Sequence, residues 1–203
     1  MGPYAVPPAS RAPALVVLDL DPAGLALADG PETLRARGEA EEPGAAPGAG
    51  AGCLAGPSLS DEEARALRAL ERAGVSLAVF TCQNRERMAC ELERLGLHPL
   101  VVPDVLPLAV PSALDRAARR CESLVRLCDE RHLGFEKVCV IASQPMDAAM
   151  LFKAGIALAL EGAGYRSCAA ADAVFPARER GGLAMALADA CEAASFGAAV
   201  TGL

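Results

Sequence analysis

The chain has 203 residues, 53% of them hydrophobic, which is enough for one α/β domain with a sizeable core. Its formal net charge of −7 excludes a nucleic-acid-binding protein that works through a broad basic surface. The N-terminal stretch has no apolar run of the signal-peptide type, and no segment approaches the length of a membrane span. We therefore expect a cytoplasmic protein with neither nucleic acid nor a membrane as partner.

Two segments are predicted to lie outside the folded core. Residues 1–13 contain four prolines and form a loose leader. Residues 31–58 form a Pro/Gly/Ala-rich linker without hydrophobic periodicity. Residues 14–195 are therefore predicted to form a single domain that this linker interrupts, followed by a tail at 196–203.

The stretch from Leu15 to Asp21 predicts a buried strand that ends in two carboxylates. Four consecutive apolar residues favour a strand covered on both faces, and Asp19 and Asp21 then point to the same side of the extended chain. Two like charges at the carboxyl end of a parallel strand are costly unless a cation or a shared proton relieves them. That end is also where open α/β sheets bind ligands. The alternative is a strand followed by an acidic turn that begins at Asp21 and Pro22.

Strands alternate with helices along the rest of the chain. We predict strands at 14–20, 75–80, 99–103, 137–142, 156–160 and 173–175, and helices at 60–74, 84–95, 112–131, 147–153 and 181–195. The first of these helices opens with a capping box, in which Ser60 is the N-cap and Glu63 follows three residues later. The alternation predicts an α/β fold with a parallel sheet and right-handed crossovers.

The eight cysteines are predicted to be free thiols in a reducing compartment. They show no Cys-x-x-Cys spacing, and the two histidines do not lie at ligand spacing, so disulfide bonds and a zinc site are disfavoured. The positions concerned are Cys53, Cys82, Cys90, Cys121, Cys128, Cys139, Cys168 and Cys191.

The order of these pieces resembles the haloacid-dehalogenase (HAD) type phosphatase superfamily over about residues 14–30 and 60–192. The shared features are a first strand ending in Asp19-x-Asp21, a second ending in Thr81, and a later polar turn with Asp147 before an apolar strand. The layout is most similar to the capless branch, which contains 3-deoxy-D-manno-octulosonate 8-phosphate phosphatases and the C-terminal domain of acylneuraminate cytidylyltransferases. The resemblance implies a three-layer Rossmann-like fold without a cap domain.

The resemblance also implies a chemistry. In such enzymes the first aspartate attacks phosphorus, the second is the general acid and base, and Mg²⁺ bridges the carboxylates and the phosphate. The catalytic roles then fall to Asp19 and Asp21, and the magnesium ligands are Asp19, Asp21 and Asp147. Substrate binding falls to Thr81 and to Arg120, which stands where the family has a lysine. The implied partner is a small phosphorylated metabolite of the sugar-acid class.

Three features depart from the family pattern. Pro22 replaces a glycine and has no N–H to offer a phosphate. Ser143 replaces a metal carboxylate, so Mg²⁺ binding is expected to be weak, or absent if the hydroxyl cannot substitute. The linker replaces a β-hairpin that assembles a tetramer in the capless branch. A second hypothesis is therefore an inactive module that serves oligomerisation or regulation. The sequence leaves the oligomeric state undecided, and a homo-oligomer is one of the alternatives.

Several candidate residues also have a purely structural interpretation. Thr81 and Asp147 could be the N-caps of the helices that follow them. Arg119 and Arg120 could belong to a solvated helix face. A third hypothesis, a dinucleotide-binding Rossmann protein, is discarded because the first strand is not followed by a glycine-rich turn.

Overall fold

The computed structural model of the chain describes residues 12–20, 59–81, 85–103 and 113–201. Its strands are β1 (Leu15–Asp19), β2 (Ser76–Thr81), β3 (Leu100–Pro103), β4 (Val138–Ala142), β5 (Ile156–Leu160) and β6 (Ala173–Phe175). They form one sheet in the order β3-β2-β1-β4-β5-β6, and every pairing is parallel. The predicted α/β fold with a parallel sheet is confirmed.

The central strands are covered on both faces. Every residue of β1, β4 and β5 is buried, which explains why these segments appear in the sequence as continuous apolar runs. β1 lies between β2 and β4, so Asp19 at its end is near the middle of the sheet's carboxyl edge. This central position sets the location of the candidate site.

Six helices complete the described fold: α1 (Asp61–Arg72), α2 (Arg85–Arg94), α3 (Ala113–Glu130), α4 (Ala148–Leu151), α5 (Gly164–Ala170) and α6 (Gly182–Thr201). α1, α2 and α6 pack on one face of the sheet through residues such as Leu67, Met88 and Leu187. α3 and α4 pack on the other face through Leu124 and Met150, and α5 joins them there. The predicted three-layer arrangement is confirmed.

The structure differs from the sequence prediction in three elements. α5 was not predicted because it has no apolar stripe, and Ser167 is its fully buried residue. The predicted helix at 147–153 is a 3₁₀ turn, Pro145–Asp147, followed by the short α4. The final helix continues to Thr201, beyond its predicted end at 195. The linker at 31–58 and most of the leader lie outside the described residues.

Two further observations concern the described part of the chain. None of the helices there combines the length and the apolar character that crossing a bilayer requires. The six cysteines of that part are free thiols, whereas Cys53 and Cys82 lie outside it. Complete burial raises the pKa of the Cys139 thiol, which disfavours its thiolate form.

The predicted capping box of α1 is confirmed, and its removal is expected to cost stability. Ser60 Oγ accepts a hydrogen bond from the Glu63 amide at 3.2 Å, and Glu63 Oε2 accepts one from the Ser60 amide at 2.8 Å. We expect Ser60→Ala to lower the free energy of unfolding by about 1 kcal/mol, measured by urea denaturation. The control is Ser195→Ala on the exposed side of α6, which should change it by less than about 0.5 kcal/mol. Equal losses in the two variants would contradict the capping role.

Candidate active site

Three of the polar residues singled out from the sequence lie at the carboxyl ends of neighbouring strands. Asp19 ends β1, Thr81 ends β2, and Ser143 follows β4 directly. Asp19 and Thr81 are buried, and Ser143 is half-buried. The Ser143 hydroxyl donates a hydrogen bond of 3.4 Å to the backbone oxygen of Asp19. The sheet therefore brings these residues to the edge where open α/β sheets bind ligands.

Arg120, from the middle of α3, joins two carboxylates at this edge. Its Nη1 atom lies 2.7 Å from Oδ2 of Asp19 and 2.7 Å from Oδ1 of Asp147. All three side chains are almost fully excluded from solvent, with exposed fractions of 2% or less. The interpretation of Arg120 as part of a solvated helix face is therefore wrong, whereas its neighbour Arg119 is exposed.

Asp147 is anchored in the turn that precedes α4. Its Oδ2 accepts a hydrogen bond of 3.0 Å from the Gln144 amide, and the Gln144 side chain accepts one from the Asp147 amide. From α5, Ser167 Oγ donates to the Gln144 carbonyl at 3.0 Å. Asp147 occupies the N-cap position of α4, as predicted, but its side chain makes no capping hydrogen bond to that helix. Its carboxylate closes the turn before the helix.

Thr81 ends β2, and the described part of α2 begins at Arg85. The interpretation of Thr81 as the N-cap of that helix depends on residues 82–84, which lie outside the described residues, so it stays a prediction. The side chain of Thr81 is completely buried at the end of β2, next to the strand that carries Asp19. Its place in the sheet is compatible with the predicted contact to a phosphoryl group.

Burial and pairing act in opposite directions on the Asp147 carboxyl. Its pKa is raised from the usual value, chiefly because complete burial penalises the carboxylate form. The Arg120 guanidinium acts the other way, as do the hydrogen bonds from the amides of Gln144 and Ser143. This carboxylate therefore depends on Arg120 for the compensation of its charge.

The described residues do not fit a tightly held magnesium ion. Asp21 lies outside them, and Asp147 uses both carboxylate oxygens for protein donors. The other oxygen donors considered are the carboxylate of Asp19, of which Oδ2 already contacts Arg120, and the hydroxyl of Ser143. In the described part of the chain, no cluster of three or more His, Cys, Asp or Glu side chains could hold a metal ion. Mg²⁺ demands near-octahedral oxygen ligands and favours carboxylates, which this pair of donors supplies poorly.

One residue of interest was missed at the level of the sequence. Arg116 lies one helical turn before Arg120 on α3 and is half-buried. Its Nε atom is buried and has no hydrogen-bond partner within the described structure. The spacing of four residues between the two arginines was the available signal, since positions i and i+4 share one helix face.

Solved structures of other proteins share this architecture. The chain superposes on 3-deoxy-D-manno-octulosonate 8-phosphate phosphatase from Moraxella catarrhalis, solved with magnesium, phosphate and a KDO molecule. The TM-score is 0.61 at 14% identity, over 96% of this chain and 94% of that chain. This chain has the HAD fold. No protein-family model and no curated protein sequence matches it.

Two further structures with the HAD fold illustrate the range of the likeness. A chain from Streptomyces avermitilis, described as a HAD family hydrolase, has a TM-score of 0.59 at 16% identity, over 92% of this chain and 89% of that chain. The cobalt-bound deoxy-D-mannose-octulosonate 8-phosphate phosphatase from Haemophilus influenzae has a TM-score of 0.52 at 14% identity, over 90% and 91%. At these identities the likeness concerns the fold.

Proposed function

We propose that this chain is an aspartate-dependent phosphomonoesterase that acts on a small phosphorylated metabolite of the sugar-acid class. The observation that carries the proposal is the contact between Asp19 and Arg120 at the centre of the sheet's carboxyl edge. A buried guanidinium fixes the orientation of the carboxylate, and a nucleophile must be held in one orientation to attack efficiently. The HAD fold, which the phosphatases named above share, supports the same reaction type.

The proposed reaction has two displacement steps at phosphorus. In the first, the Asp19 carboxylate attacks phosphorus, the bond to the ester oxygen breaks, and Asp21 gives that oxygen a proton. In the second, Asp21 removes a proton from water, which attacks the aspartyl-phosphate and releases inorganic phosphate and the Asp19 carboxylate. Thr81 donates its hydroxyl hydrogen to a phosphoryl oxygen, and Arg120 keeps Asp19 oriented throughout.

The proposed phosphatase uses a weakly bound magnesium ion. Two of the similar phosphatases were solved with magnesium or cobalt, which supports the use of a divalent metal. A bound ion would supply positive charge against the phosphoryl oxygens. With Ser143 in place of a carboxylate, the described donors would hold that ion loosely.

A second candidate is a non-catalytic module that serves oligomerisation or regulation, with further copies of the chain as partners. This candidate is favoured by the turn before α4, whose polar side chains make contacts within the protein. Asp147 is engaged by Arg120 and by the Gln144 amide, and Ser143 supplies only a hydroxyl. For this candidate, the cluster of Asp19, Arg120 and Asp147 stabilises the domain and carries out no chemistry.

The two candidates predict different results when the nucleophile is removed. We expect the metal-supplemented full chain to hydrolyse at least one member of a panel of sugar-acid phosphates, and Asp19→Asn to lower kcat by about 100-fold or more. The assay follows released inorganic phosphate, and the matched control is Asp129→Asn on the exposed surface of α3. Unchanged activity in Asp19→Asn would overturn the phosphatase proposal. Absence of hydrolysis by the unmodified chain across the panel would favour the second candidate.

A further inference from the structure

Arg116 and Arg120 project from the same face of α3, because residues four apart on a helix lie above one another. α3 connects β3 to the parallel strand β4, so it runs antiparallel to the strands and its first turn lies toward the carboxyl edge of the sheet. Arg116 is therefore displaced from Arg120 by four residues, about 6 Å along the axis, toward that edge. It lies on the side of the Asp19 cluster from which a ligand would approach.

One N–H group of the Arg116 guanidinium is unsatisfied in the described part of the chain. Within the described structure its buried Nε makes no hydrogen bond. An unsatisfied buried N–H of this kind is destabilising, and the first turn of a helix disfavours a cation because the positive end of the helix dipole lies there. An anion bound beside Arg116 would relieve both costs.

The charges of the site also indicate that a bound phosphoryl group needs an additional cation. Asp19 and Asp147 carry two negative charges and Arg120 carries one positive charge, so the buried cluster has a net charge of −1. A phosphoryl dianion that approaches this cluster is repelled unless another cation is present. Because the described donors would hold magnesium only loosely, a protein cation is a further source of that charge, and Arg116 would bring the described cluster to neutrality.

We infer that Arg116 binds the phosphoryl group of the substrate and supplies positive charge that the altered metal site lacks. The identity of the ligand as a phosphomonoester rests on the proposed function. The planar guanidinium can donate two parallel hydrogen bonds to two oxygens of one phosphoryl group. Arg116 is thus a binding residue, whereas Arg120 is a positioning residue that acts through Asp19.

The test is the binding of inorganic phosphate to the full chain in the presence of EDTA, measured by isothermal titration calorimetry. We expect the unmodified chain to bind phosphate without metal, and Arg116→Gln to weaken the affinity by about tenfold or more. The matched control is Arg119→Gln, which removes the same charge from an exposed position on the same helix and should change the affinity less than about twofold. Arg116→Lys keeps the charge without the planar fork and should fall between these values.

The stability of Arg116→Gln toward urea distinguishes a phosphate-binding role of Arg116 from a structural role. Because Arg116 has an unsatisfied N–H in the folded chain, Arg116→Gln should unfold at the same or a higher urea concentration than the unmodified protein. A marked loss of stability would assign Arg116 to the fold. Absence of phosphate binding by the unmodified chain in EDTA, or equal weakening by Arg116→Gln and Arg119→Gln, would overturn the inference.

The outcome is separable from that of the proposed function, since phosphate binding needs no turnover. If Asp19→Asn abolishes hydrolysis and Arg116→Gln binds phosphate normally, only the inference about Arg116 fails. If Arg116→Gln loses phosphate binding and Asp19→Asn retains full hydrolysis, the proposed nucleophile is wrong and the anion-binding role of Arg116 stands.

Discussion

Replacing Arg120 by methionine is expected to lower the free energy of unfolding by about 3–5 kcal/mol, the usual cost of removing one partner from a buried ion pair. Methionine fills a similar volume without charge, so the loss reports chiefly on electrostatics. The variant leaves the carboxylates of Asp19 and Asp147 buried and without the guanidinium that contacts both at 2.7 Å. Urea denaturation followed by circular dichroism measures the effect.

Two further variants sharpen this experiment. Arg119→Met removes an exposed charge from the adjacent position and should change the unfolding free energy by less than about 0.5 kcal/mol. Arg120→Lys should be intermediate, because an ammonium group is a point charge and cannot reproduce the planar geometry of the guanidinium. A loss below about 1 kcal/mol in Arg120→Met would contradict the central role of this ion pair.

The effect of Arg120→Met should also depend on pH in a defined direction. Burial raises the pKa of Asp147, and Arg120 opposes that rise, so the variant raises the folded-state pKa further above the unfolded value. For a group with a raised pKa, stability is greatest below the unfolded pKa and is lost as the pH rises through the folded pKa. The deficit of the variant relative to the unmodified protein should therefore shrink as the pH is lowered from about 8 toward about 4. A deficit that grows on acidification would contradict the assignment.

Introducing a carboxylate by Ser143→Asp is expected to raise the affinity for Mg²⁺ by about 10- to 100-fold. Ser143 is half-buried beside the backbone of Asp19, so a new carboxylate there would lie next to Asp19 at the same edge of the sheet. Mg²⁺ prefers anionic oxygen ligands, and the additional charge would strengthen the coordination. Calorimetric titration with Mg²⁺ measures the change directly.

The matched control for this gain is Ser143→Asn, which has nearly the same shape as aspartate but no charge. Under the phosphatase proposal, the rate of hydrolysis at saturating metal should rise in Ser143→Asp and not in Ser143→Asn. Each tenfold gain in rate corresponds to about 1.4 kcal/mol of transition-state stabilisation. Equal Mg²⁺ affinities in the two variants would show that position 143 is not the missing ligand.

The fold was predictable because its signals are local. Buried parallel strands such as β1 appear as unbroken apolar runs, and the capping box of α1 is visible as Ser60 followed by Glu63. α5 lacked such a signal, since it buries the small polar residue Ser167 rather than an apolar stripe. The helix α5 becomes recognisable only in the three-dimensional structure, where Ser167 packs against the turn before α4.

The site was harder to predict because its contacts are distant in sequence. Arg120 and Asp19 are 101 positions apart, and no local pattern distinguishes a buried arginine from a solvated one. The resemblance put Arg120 in the place of a lysine that binds the substrate, whereas the helix pattern alone suggested a solvated face, and neither predicted its contact with Asp19. Asp147 stands at the predicted cap position, but only the three-dimensional structure shows that its two carboxylate oxygens accept hydrogen bonds from Arg120 and the Gln144 amide.

The order of the strands has a consequence for the way the chain reaches its native state. Among the described strands β1 is synthesised first, but it pairs on one side with β4, which follows β2 and β3 in the chain. Contacts of such large sequence separation form slowly because the entropy of closing the long intervening loop is lost before the contact can stabilise the chain. On the ribosome, Asp19 therefore gains its guanidinium partner late, and a chain that ends before residue 138 leaves one side of β1 as an open edge available to strands of other molecules.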